Sequence, residues 1–453
     1  MLYICGEKYF IIMLKREFYL DKMEAGFRQT PIVILIGARQ VGKTSLMKVF
    51  NEDKKSVFLN GQDTEIAALF QKLSVIEQYL QVYLNEELDG FLMLDEFQYI
   101  DGVSTMLKLL TDKHDKLKIL CSGSSSLDIL QKVEESLAGR VRVIEVLSLS
   151  FTEYLQFSDE KLHILFQKFN TNTENSALTA PIEQLFSEYL VYGGLPRAAL
   201  TKNKVEKAEI IDDIYKTYLM HDVRNYIKNE HSVGFNKLLR ILASQIGNLV
   251  NINELSRESG LSYKTCEEYL YLLEQMYITK LIEPYFVNKR KVIGKMKKVY
   301  FCDLGLRNRI EQNFNEIAFR ADNGAIFENA VMLSLWRNKG AGGNLQFYRT
   351  ADGTEVDFVL SRLNGKTAIE CKYKTLNKPI SLQTFNRFCE EEKIEKRFIV
   401  NPNFNAIHNK AKLIQGFLAD KMIVEKRSAF QIVAPRHCET ARNEAAEAIR
   451  KYL

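Results

Sequence analysis

The chain has 453 residues, of which 46% are hydrophobic and 26% are charged, and its formal net charge is +5 at pH 7. This composition is typical of a soluble globular protein, and the length corresponds to about two to four domains. A net charge of this size does not by itself indicate a nucleic-acid partner, because only a local basic patch would do so.

The N-terminal sequence and the cysteines bear on where in the cell the protein is found. The N-terminal stretch "MLYICGEKYFIIML" is interrupted by Glu7 and Lys8 and lacks the long apolar core of a signal peptide. It predicts a short strand or helix within an N-terminal extension over 1–30, and either Met1 or Met13 fits as the native start. The seven cysteines show no CxxC pair, and no apolar run approaches the length of a membrane span. We therefore predict a cytoplasmic protein without a membrane partner.

A phosphate-binding loop follows the first apolar strand, "PIVILI". The stretch "GARQVGKTSL" fits the pattern G-x-x-x-x-G-K-[ST] and continues into a helical segment. Glycines allow successive backbone N–H groups to surround phosphate oxygens at the positive end of that helix. In this pattern Lys43 reaches the β- and γ-phosphates and Thr44 holds Mg²⁺. The predicted cofactors are ATP and Mg²⁺, and the candidate nucleotide-binding residues are Gly37, Gln40, Val41, Gly42, Lys43, Thr44 and Ser45.

Two later strands supply polar side chains at their C-terminal ends. In "GFLMLDEFQYI" an apolar strand ends at Asp95, which is predicted to bind Mg²⁺, and Glu96, which is predicted to orient or deprotonate the attacking water. The next strand, "LKILCSGSSS", ends in hydroxyls that are suited to sense the γ-phosphate, and both Ser122 and Ser124 are candidates. In "SLAGRVRVIEV", Arg140 fits either an arginine finger that reaches the nucleotide of another copy or a surface salt bridge.

These motifs, in this order, are typical of AAA-type P-loop ATPases. Together with "SLAGRVRVIEVLSLSFTEYL", "YGGLPRAAL" and "KKVYFCDLGLRN", they make the chain resemble a prokaryotic family of AAA ATP-binding proteins whose C-terminal part is a domain of unknown function. The resemblance implies an ATPase core over 31–150 and a helical lid over 151–234. It also implies that Pro196 in the lid contacts the nucleotide and that Arg197 adds a charge there, although a plain interhelical turn remains the alternative.

Residues 235–285 predict a winged helix-turn-helix module. A short helix, a turn at Gly260, Leu261 and Ser262, and a longer helix precede a strand, and Leu255, Leu270 and Leu273 fit the buried face together with Leu261. The wing "VNKRKVIGKMKKVY" is the densest basic patch in the chain and suits a phosphate backbone. The second helix carries Glu267 and Glu268, so DNA contact and a purely packing role both stay open. The candidate DNA contacts are Lys264, Lys289, Arg290, Lys291, Lys295, Lys297 and Lys298.

The C-terminal segment "GTEVDFVLSRLNGKTAIECKYK" predicts a β-hairpin with its turn at Asn364-Gly365. Asp357 lies on the first strand, and the spacing of Glu370 and Lys372 places both side chains on one face of the second. Two carboxylates and a lysine are suited to hold Mg²⁺ against a phosphodiester. The pattern resembles the restriction-endonuclease-like superfamily, in which a helix often adds an acid, and Glu328 fits that role. The alternative is a set of ordinary strand-end charges.

The predicted fold class is α/β, with a P-loop AAA-type ATPase core and helical lid, a winged helix-turn-helix module, and an α/β restriction-endonuclease-like domain over 286–435. A helical tail over 436–453 follows, in which His437 and Cys438 lack further metal ligands. We predict an Mg²⁺-dependent, DNA-associated ATPase, able to form a homo-oligomer, whose catalytic candidates are Glu96, Asp357, Glu370 and Lys372. Asp357, Glu370 and Glu328 are also the candidate metal ligands of the C-terminal domain. The alternative is an ATP-controlled signalling or scaffolding switch whose C-terminal domain only binds a partner.

Overall fold

The computed structural model describes residues 3–5, 8–10, 15–124, 137–169, 179–285, 296–350 and 353–423. Strands β1 (Tyr3–Cys5) and β2 (Lys8–Phe10) form an antiparallel pair. Within the described residues, no helix is long and apolar enough to span a membrane.

The first large unit is a parallel five-stranded sheet flanked by helices, as predicted for the α/β ATPase core. Its strands run in the order β4-β5-β6-β3-β7, and the interior strand β3 is fully buried, as expected for a parallel sheet covered on both faces. This order places the ends of β3, β5 and β6 side by side. The elements are α1 (Glu17–Phe27), β3 (Ile32–Ile36), α2 (Lys43–Asn51), β4 (Ser56–Asn60), α3 (Thr64–Leu69), α4 (Leu73–Tyr83), β5 (Gly90–Asp95), α5 (Val103–Lys113), β6 (Leu117–Gly123) and β7 (Val141–Glu145).

The segment that was predicted to form a lid is helical. Its first helix begins with a capping box, in which Ser150 accepts a hydrogen bond from the backbone N–H of Glu153 and the Glu153 carboxylate accepts one from the backbone N–H of Ser150. The last lid helix continues into a π-helix, a geometry found often at functional sites. The elements are α6 (Phe151–Ser158), α7 (Glu160–Lys168), α8 (Ala180–Tyr192), α9 (Pro196–Ala199), α10 (Lys204–Ile214) and the π-helix Tyr215–Asp222.

The segment predicted as a helix-turn-helix forms three helices, α11 (Ser232–Ser244), α12 (Ile252–Ser259) and α13 (Tyr263–Gln275). Gly260 ends α12 in a left-handed conformation with a φ of 76°, and the Ser262 hydroxyl caps α13 by accepting from the Thr265 N–H. The four leucines predicted for the buried face are all buried, namely Leu255, Leu261, Leu270 and Leu273.

The C-terminal half is built on an eight-stranded mixed sheet in the order β14-β15-β13-β12-β11-β10-β8-β9. The two strands after α13 belong to this sheet, since Glu283 of β8 pairs with Gln346 of β10. The sheet therefore crosses the predicted domain boundary between residues 285 and 286. The elements are β8 (Thr279–Pro284), β9 (Lys298–Phe301), α14 (Leu304–Ile310), α15 (Asn323–Asn338), β10 (Asn344–Arg349), β11 (Glu355–Arg362), β12 (Gly365–Cys371), α16 (Gln383–Glu391), β13 (Lys396–Asn401), β14 (Ala406–His408), β15 (Ala411–Gln415) and α17 (Ala419–Met422).

The predicted hairpin is present as β11 and β12, but its turn lies one residue earlier than predicted. Leu363 and Asn364 form the turn, and Gly365 pairs with Arg362 as the first residue of β12. Gly365 has a φ of 118°, which disfavours any residue with a Cβ. Gly365 is therefore needed for the backbone conformation at the start of β12 rather than for the turn. The side-chain alternation along β12 is unchanged.

Candidate functional site

The phosphate-binding loop connects β3 to α2 with the backbone that the motif predicts. Gly42 precedes α2 with a φ of 93°, and Gln40 also has a positive φ of 62°. At Gly37 a Cβ atom would lie only 2.1 Å from the carbonyl oxygen of Val146, so a side chain cannot be accommodated there. Both glycines are thus required by backbone conformation or close packing.

Lys43 is the first residue of α2, and its ammonium lies within the loop. Its Nζ donates hydrogen bonds to the carbonyl oxygens of Gly37 at 2.9 Å and Ala38 at 2.8 Å. Burial lowers the pKa of Lys43 to about 8, although the nearby carboxylates of Glu96 and Asp95 oppose this shift. A phosphate group at this position would supply the opposite charge that the buried ammonium lacks.

A hydroxyl and a carboxylate meet where β3 and β5 end. The Thr44 hydroxyl donates to Oδ2 of Asp95 at 2.8 Å, and the Ser122 hydroxyl on β6 donates to the other oxygen, Oδ1. Asp95 is 6% exposed. Hard oxygen donors in contact with each other beside a phosphate loop fit the ligand preference of Mg²⁺. Thr44 and Asp95 are therefore the residues that would hold the ion.

The predicted water-activating acid is held by a neighbour that the sequence analysis did not single out. Glu96 adopts a left-handed backbone with a φ of 50°. Its Oε2 accepts a hydrogen bond from Nε2 of Gln98 at 2.6 Å, and the same Nε2 lies 3.4 Å from the Ser124 hydroxyl. Gln98 thus connects the predicted base to the predicted γ-phosphate sensor.

These residues open into a cavity of about 680 Å³, which is closed on one side by the lid. Pro196 and Arg197 of the lid both line the cavity. Pro196 lies next to the loop, since a Cβ atom placed on Gly42 would be 3.8 Å from its Cγ. Gln62 and Thr217 also line the cavity and, like Arg39 and Leu200, were not expected from sequence. Gln62 follows β4 at the same sheet edge, which is the signal that would have indicated it, whereas Thr217 lies on the π-helix and carries no sequence signal.

The loop is supported from behind by Arg16, which the sequence analysis also missed. The Arg16 guanidinium donates to the Val41 carbonyl oxygen at 2.9 Å and pairs with the buried Glu153 of α6 at 2.7 Å. Arg16 is 3% exposed, so this pair is desolvated, and removal of one partner would leave a buried charge. The pair joins the loop to the start of the lid.

The sequence allowed Arg140 to be either an arginine finger or part of a surface salt bridge, and the structure shows a salt bridge. Its Nε lies 2.6 Å from Oδ1 of Asp112 on α5, and both side chains are partly exposed. This contact occupies the guanidinium within the same chain.

The predicted DNA contacts fall into three groups. Lys264 is exposed on α13, with its Nζ 3.9 Å from Glu268, and Lys297 pairs with Glu283 at 3.0 Å. Four of the basic wing residues lie outside the described residues: Lys289, Arg290, Lys291 and Lys295. The prediction that Lys298 contacts DNA is wrong, because its side chain is 2% exposed and faces the acids of the C-terminal sheet.

Lys298 is the centre of the C-terminal carboxylate cluster. Its Nζ lies 3.1 Å from Glu328 Oε1, 2.5 Å from Glu355 Oε1 and 4.0 Å from Asp357 Oδ1. Burial disfavours the ammonium, but the surrounding carboxylates raise the pKa of Lys298 above its ordinary value. The Tyr300 hydroxyl donates to the same Glu328 oxygen at 2.6 Å. The ammonium therefore occupies the space among these acids.

Asp357, Glu370 and Lys372 are brought together as predicted. Oδ2 of Asp357 accepts from the Cys371 N–H at 2.7 Å, and Lys372 Nζ donates to Glu370 Oε1 at 2.7 Å. Burial, with the charges of Glu328 and Glu370, raises the pKa of Asp357 well above its ordinary value. Among the described residues, no group of three or more His, Cys, Asp or Glu side chains is arranged to hold a metal ion. The cluster does not fit the predicted metal centre, because the Lys298 ammonium lies among three of its acids and Lys372 pairs with the fourth.

Three family models match successive parts of the chain. Residues 29–155 match the model of an AAA domain, residues 183–316 match a domain of unknown function (DUF8612), and residues 323–415 match a second domain of unknown function (DUF4143). The AAA match confirms the predicted ATPase core, and the DUF4143 match agrees with the C-terminal domain of unknown function implied by the resemblance. The restriction-endonuclease-like likeness stays a prediction.

Curated relatives align with most of the chain. The uncharacterized protein MJ1544 of Methanocaldococcus jannaschii is 26% identical over 375 residues, which are 80% of each chain. The uncharacterized protein Rv2008c of Mycobacterium tuberculosis is 23% identical over 362 residues, covering 78% of this chain and 73% of the relative.

Solved structures give weaker likenesses. The Walker-type ATPase PABY2304 of Pyrococcus abyssi has a TM-score of 0.45 and 15% identity, and covers 66% of this chain and 96% of its own. Cdc6p of Pyrobaculum aerophilum has a TM-score of 0.30 and 12% identity, and covers 69% of this chain and 98% of its own. Both scores lie below 0.5, so the assignment rests on the matched domain model and the loop geometry. On that basis, residues 29–155 match an AAA domain, and this match supports an ATP-binding ATPase core in that part of the chain.

Proposed function

We propose that the protein is an Mg²⁺-dependent ATP hydrolase whose lid senses the bound nucleotide. The loop N–H groups and Lys43 hold the phosphates, Thr44 and Asp95 hold the ion, and Glu96 orients the attacking water and accepts its proton. When bound, Mg²⁺ would neutralise charge on the phosphate oxygens. Pro196 and Arg197 bring the lid into the same cavity, so the lid position would depend on the occupant.

One observation carries the proposal. The Thr44 hydroxyl and the Asp95 carboxylate are already in contact at 2.8 Å, next to a buried lysine ammonium and a cavity large enough for a nucleotide. Unrelated strand-end residues would not be expected to bring a hydroxyl, a carboxylate and a lysine together at one loop.

Lys43→Ala is expected to abolish ATP binding or turnover without unfolding the chain. The Nζ bonds only to loop carbonyls, so its loss removes the phosphate contact while the core stays packed. Calorimetric titration with ATP, together with a phosphate-release assay, is the measurement. Lys48→Ala, on the exposed side of the same helix, is the matched control. Unchanged affinity and turnover in a folded Lys43→Ala variant would contradict the assignment.

DNA association is a second candidate function, favoured by the layout in which α12, a turn and α13 lead into β8 and β9. The exposed Lys264 and the basic residues between the two strands would contact phosphates rather than bases. The buried Lys298 takes no part in this candidate interface.

The basic wing is tested by replacing Lys289, Arg290, Lys291, Lys295 and Lys297 with alanine while Lys298 is kept. We expect weaker binding to duplexes of any sequence and a flatter dependence on salt, since phosphate contacts carry the salt sensitivity. Fluorescence anisotropy at several salt concentrations measures both. An unaltered affinity and salt slope would leave the module with a packing role only.

For the C-terminal domain we propose a role in binding or structural support rather than phosphodiester cleavage. The support for this proposal is Lys298, which stands among Glu328, Glu355 and Asp357 where a nuclease would need its cation.

A further inference from the structure

A groove lies between the ATPase core and the C-terminal half, away from every residue assigned above to the nucleotide cavity. It is formed by α1, the edge strand β7 and the end of α15, and it encloses about 410 Å³. Helix α1 contributes Phe18 and Lys22, β7 contributes Arg142 and Glu145, and the end of α15 contributes Trp336 and Arg337, followed by Lys339.

The groove is strongly cationic. Lys22, Arg142, Arg337 and Lys339 line it, whereas Glu145 is the acid among its lining residues. Desolvation, followed by the charges of Arg337, Arg142 and Lys339, lowers the pKa of Lys22 to about 8, and the charge of Glu145 opposes this shift. Among the lining residues four cations thus face one acid, while Arg337 also lies near Asp420 and Glu153, which do not line the groove.

Aromatic rings hold two of these ammonium groups in place. Lys22 Nζ lies 4.2 Å from the centre of the Phe18 ring, and Lys339 Nζ lies 3.5 Å from the centre of the Trp336 ring. The Trp336 indole N–H donates to Oε2 of Glu145 at 3.3 Å, so one oxygen of the acid in the groove already accepts a hydrogen bond. The rings thus position cations without neutralising them.

A buried donor in the groove is left without a partner. Arg337 is 7% exposed and donates through Nη2 to the Ser148 carbonyl oxygen at 2.7 Å. Its Nε is buried and has no hydrogen-bond partner among the described residues. A buried donor of this kind normally finds an acceptor, and leaving it unpaired costs about 1–3 kcal/mol.

We propose that this groove binds a phosphate-bearing ligand at a site separate from the phosphate-binding loop. A phosphate monoester carries close to two negative charges, so it balances several cations where a single carboxylate balances one. The guanidinium fork and the ammonium groups are suited to phosphate oxygens. The volume accepts a phosphorylated small molecule or a short length of a nucleic-acid backbone, and both sources share this chemistry.

Trp336 makes the proposal directly measurable, because it is the single tryptophan of the chain. Its emission is followed in the full-length Lys43→Ala variant, in which the phosphate-binding loop is disabled, during titration with tripolyphosphate and with oligothymidylate of two lengths. We expect a saturable change in emission with at least one probe. Lys22→Glu combined with Arg142→Glu should weaken that binding by roughly tenfold or more, because two attractions become repulsions.

Matched charge reversals at the exposed Lys161 and Lys237, which lie on α7 and α11, should leave the affinity unchanged. If the double reversal at the groove lowers the thermal midpoint, Lys22→Gln and Arg142→Gln singly give the same comparison. Tighter, length-dependent binding of the oligonucleotide identifies a nucleic-acid backbone, and tripolyphosphate binding of equal strength identifies a small phosphorylated molecule. No saturable change with any probe, or equal affinity in the reversed variant, would overturn the proposal.

Discussion

Glu96→Gln is expected to slow ATP hydrolysis by roughly a hundredfold or more while ATP and Mg²⁺ remain bound. Glu96 follows directly on the strand that carries Asp95, and it faces the cavity lined by the phosphate-binding loop. The amide keeps the shape of the side chain but cannot accept the proton of the attacking water. Single-turnover hydrolysis and nucleotide titration of the folded variant separate the chemical step from binding.

Asp95→Asn is the informative partner of that variant. Asp95 accepts hydrogen bonds from both Thr44 and Ser122, so its charge is placed for the ion rather than for the water. We expect weaker Mg²⁺-dependent binding, which a higher Mg²⁺ concentration partly restores. Two variants with the same kinetic defect and the same Mg²⁺ dependence would contradict the separate roles.

Lys298→Met is expected to destabilise the protein by roughly 3–5 kcal/mol, the usual cost of removing one partner from a buried ion pair. Glu328 and Glu355 both lie within 3.1 Å of the ammonium, and methionine retains most of its volume. Denaturant unfolding of the full chain measures the loss. Lys372→Met is the matched control, because Lys372 is 42% exposed and pairs with Glu370 at the edge of the cluster. Its loss should cost much less.

The effect of Mn²⁺ on stability distinguishes a cluster whose cation is the Lys298 ammonium from a metal centre. Wild-type protein should gain no stability from Mn²⁺ at the C-terminal cluster, whereas Lys298→Met should be partly restored by it, since a cation then has unbalanced acids to bind. The same Mn²⁺ titration in the Glu96→Gln and Asp95→Asn variants shows whether any gain in stability arises at the ATP site. Mn²⁺ binding by the wild-type cluster, lost in Asp357→Ala, would instead support the predicted metal centre.

The ATP site was largely predictable because each of its parts is local in sequence. The glycines, Lys43 and Thr44 occur within one short loop, and Asp95 follows one apolar strand. The parallel order of the sheet brings such ends together regardless of the details of the loops. The lid contact through Pro196 was expected from family resemblance, whereas Gln98 and Thr217 depend on how a turn and a π-helix happen to be placed.

The C-terminal cluster shows what sequence pattern could not provide. The short spacing of Glu370 and Lys372 was enough to place them together, and the hairpin brought Asp357 beside them. Lys298 belongs to a basic run that resembles an exposed wing, and only the pairing of β8 with β10 turns it inward. No local sequence pattern indicates the role of Arg16 either, because its partner Glu153 lies more than a hundred positions away.

The shared sheet has a consequence for how such chains evolve. Strand β8 follows α13, yet it pairs with β10. Strand β9 pairs with β8 and places Lys298 among the acids of β11 and α15. A gene fusion or exchange that joined foreign sequence between residues 285 and 286 would leave β10 with an open edge and β9 without its neighbour. The helices α12 and α13 and the C-terminal sheet should therefore be inherited together.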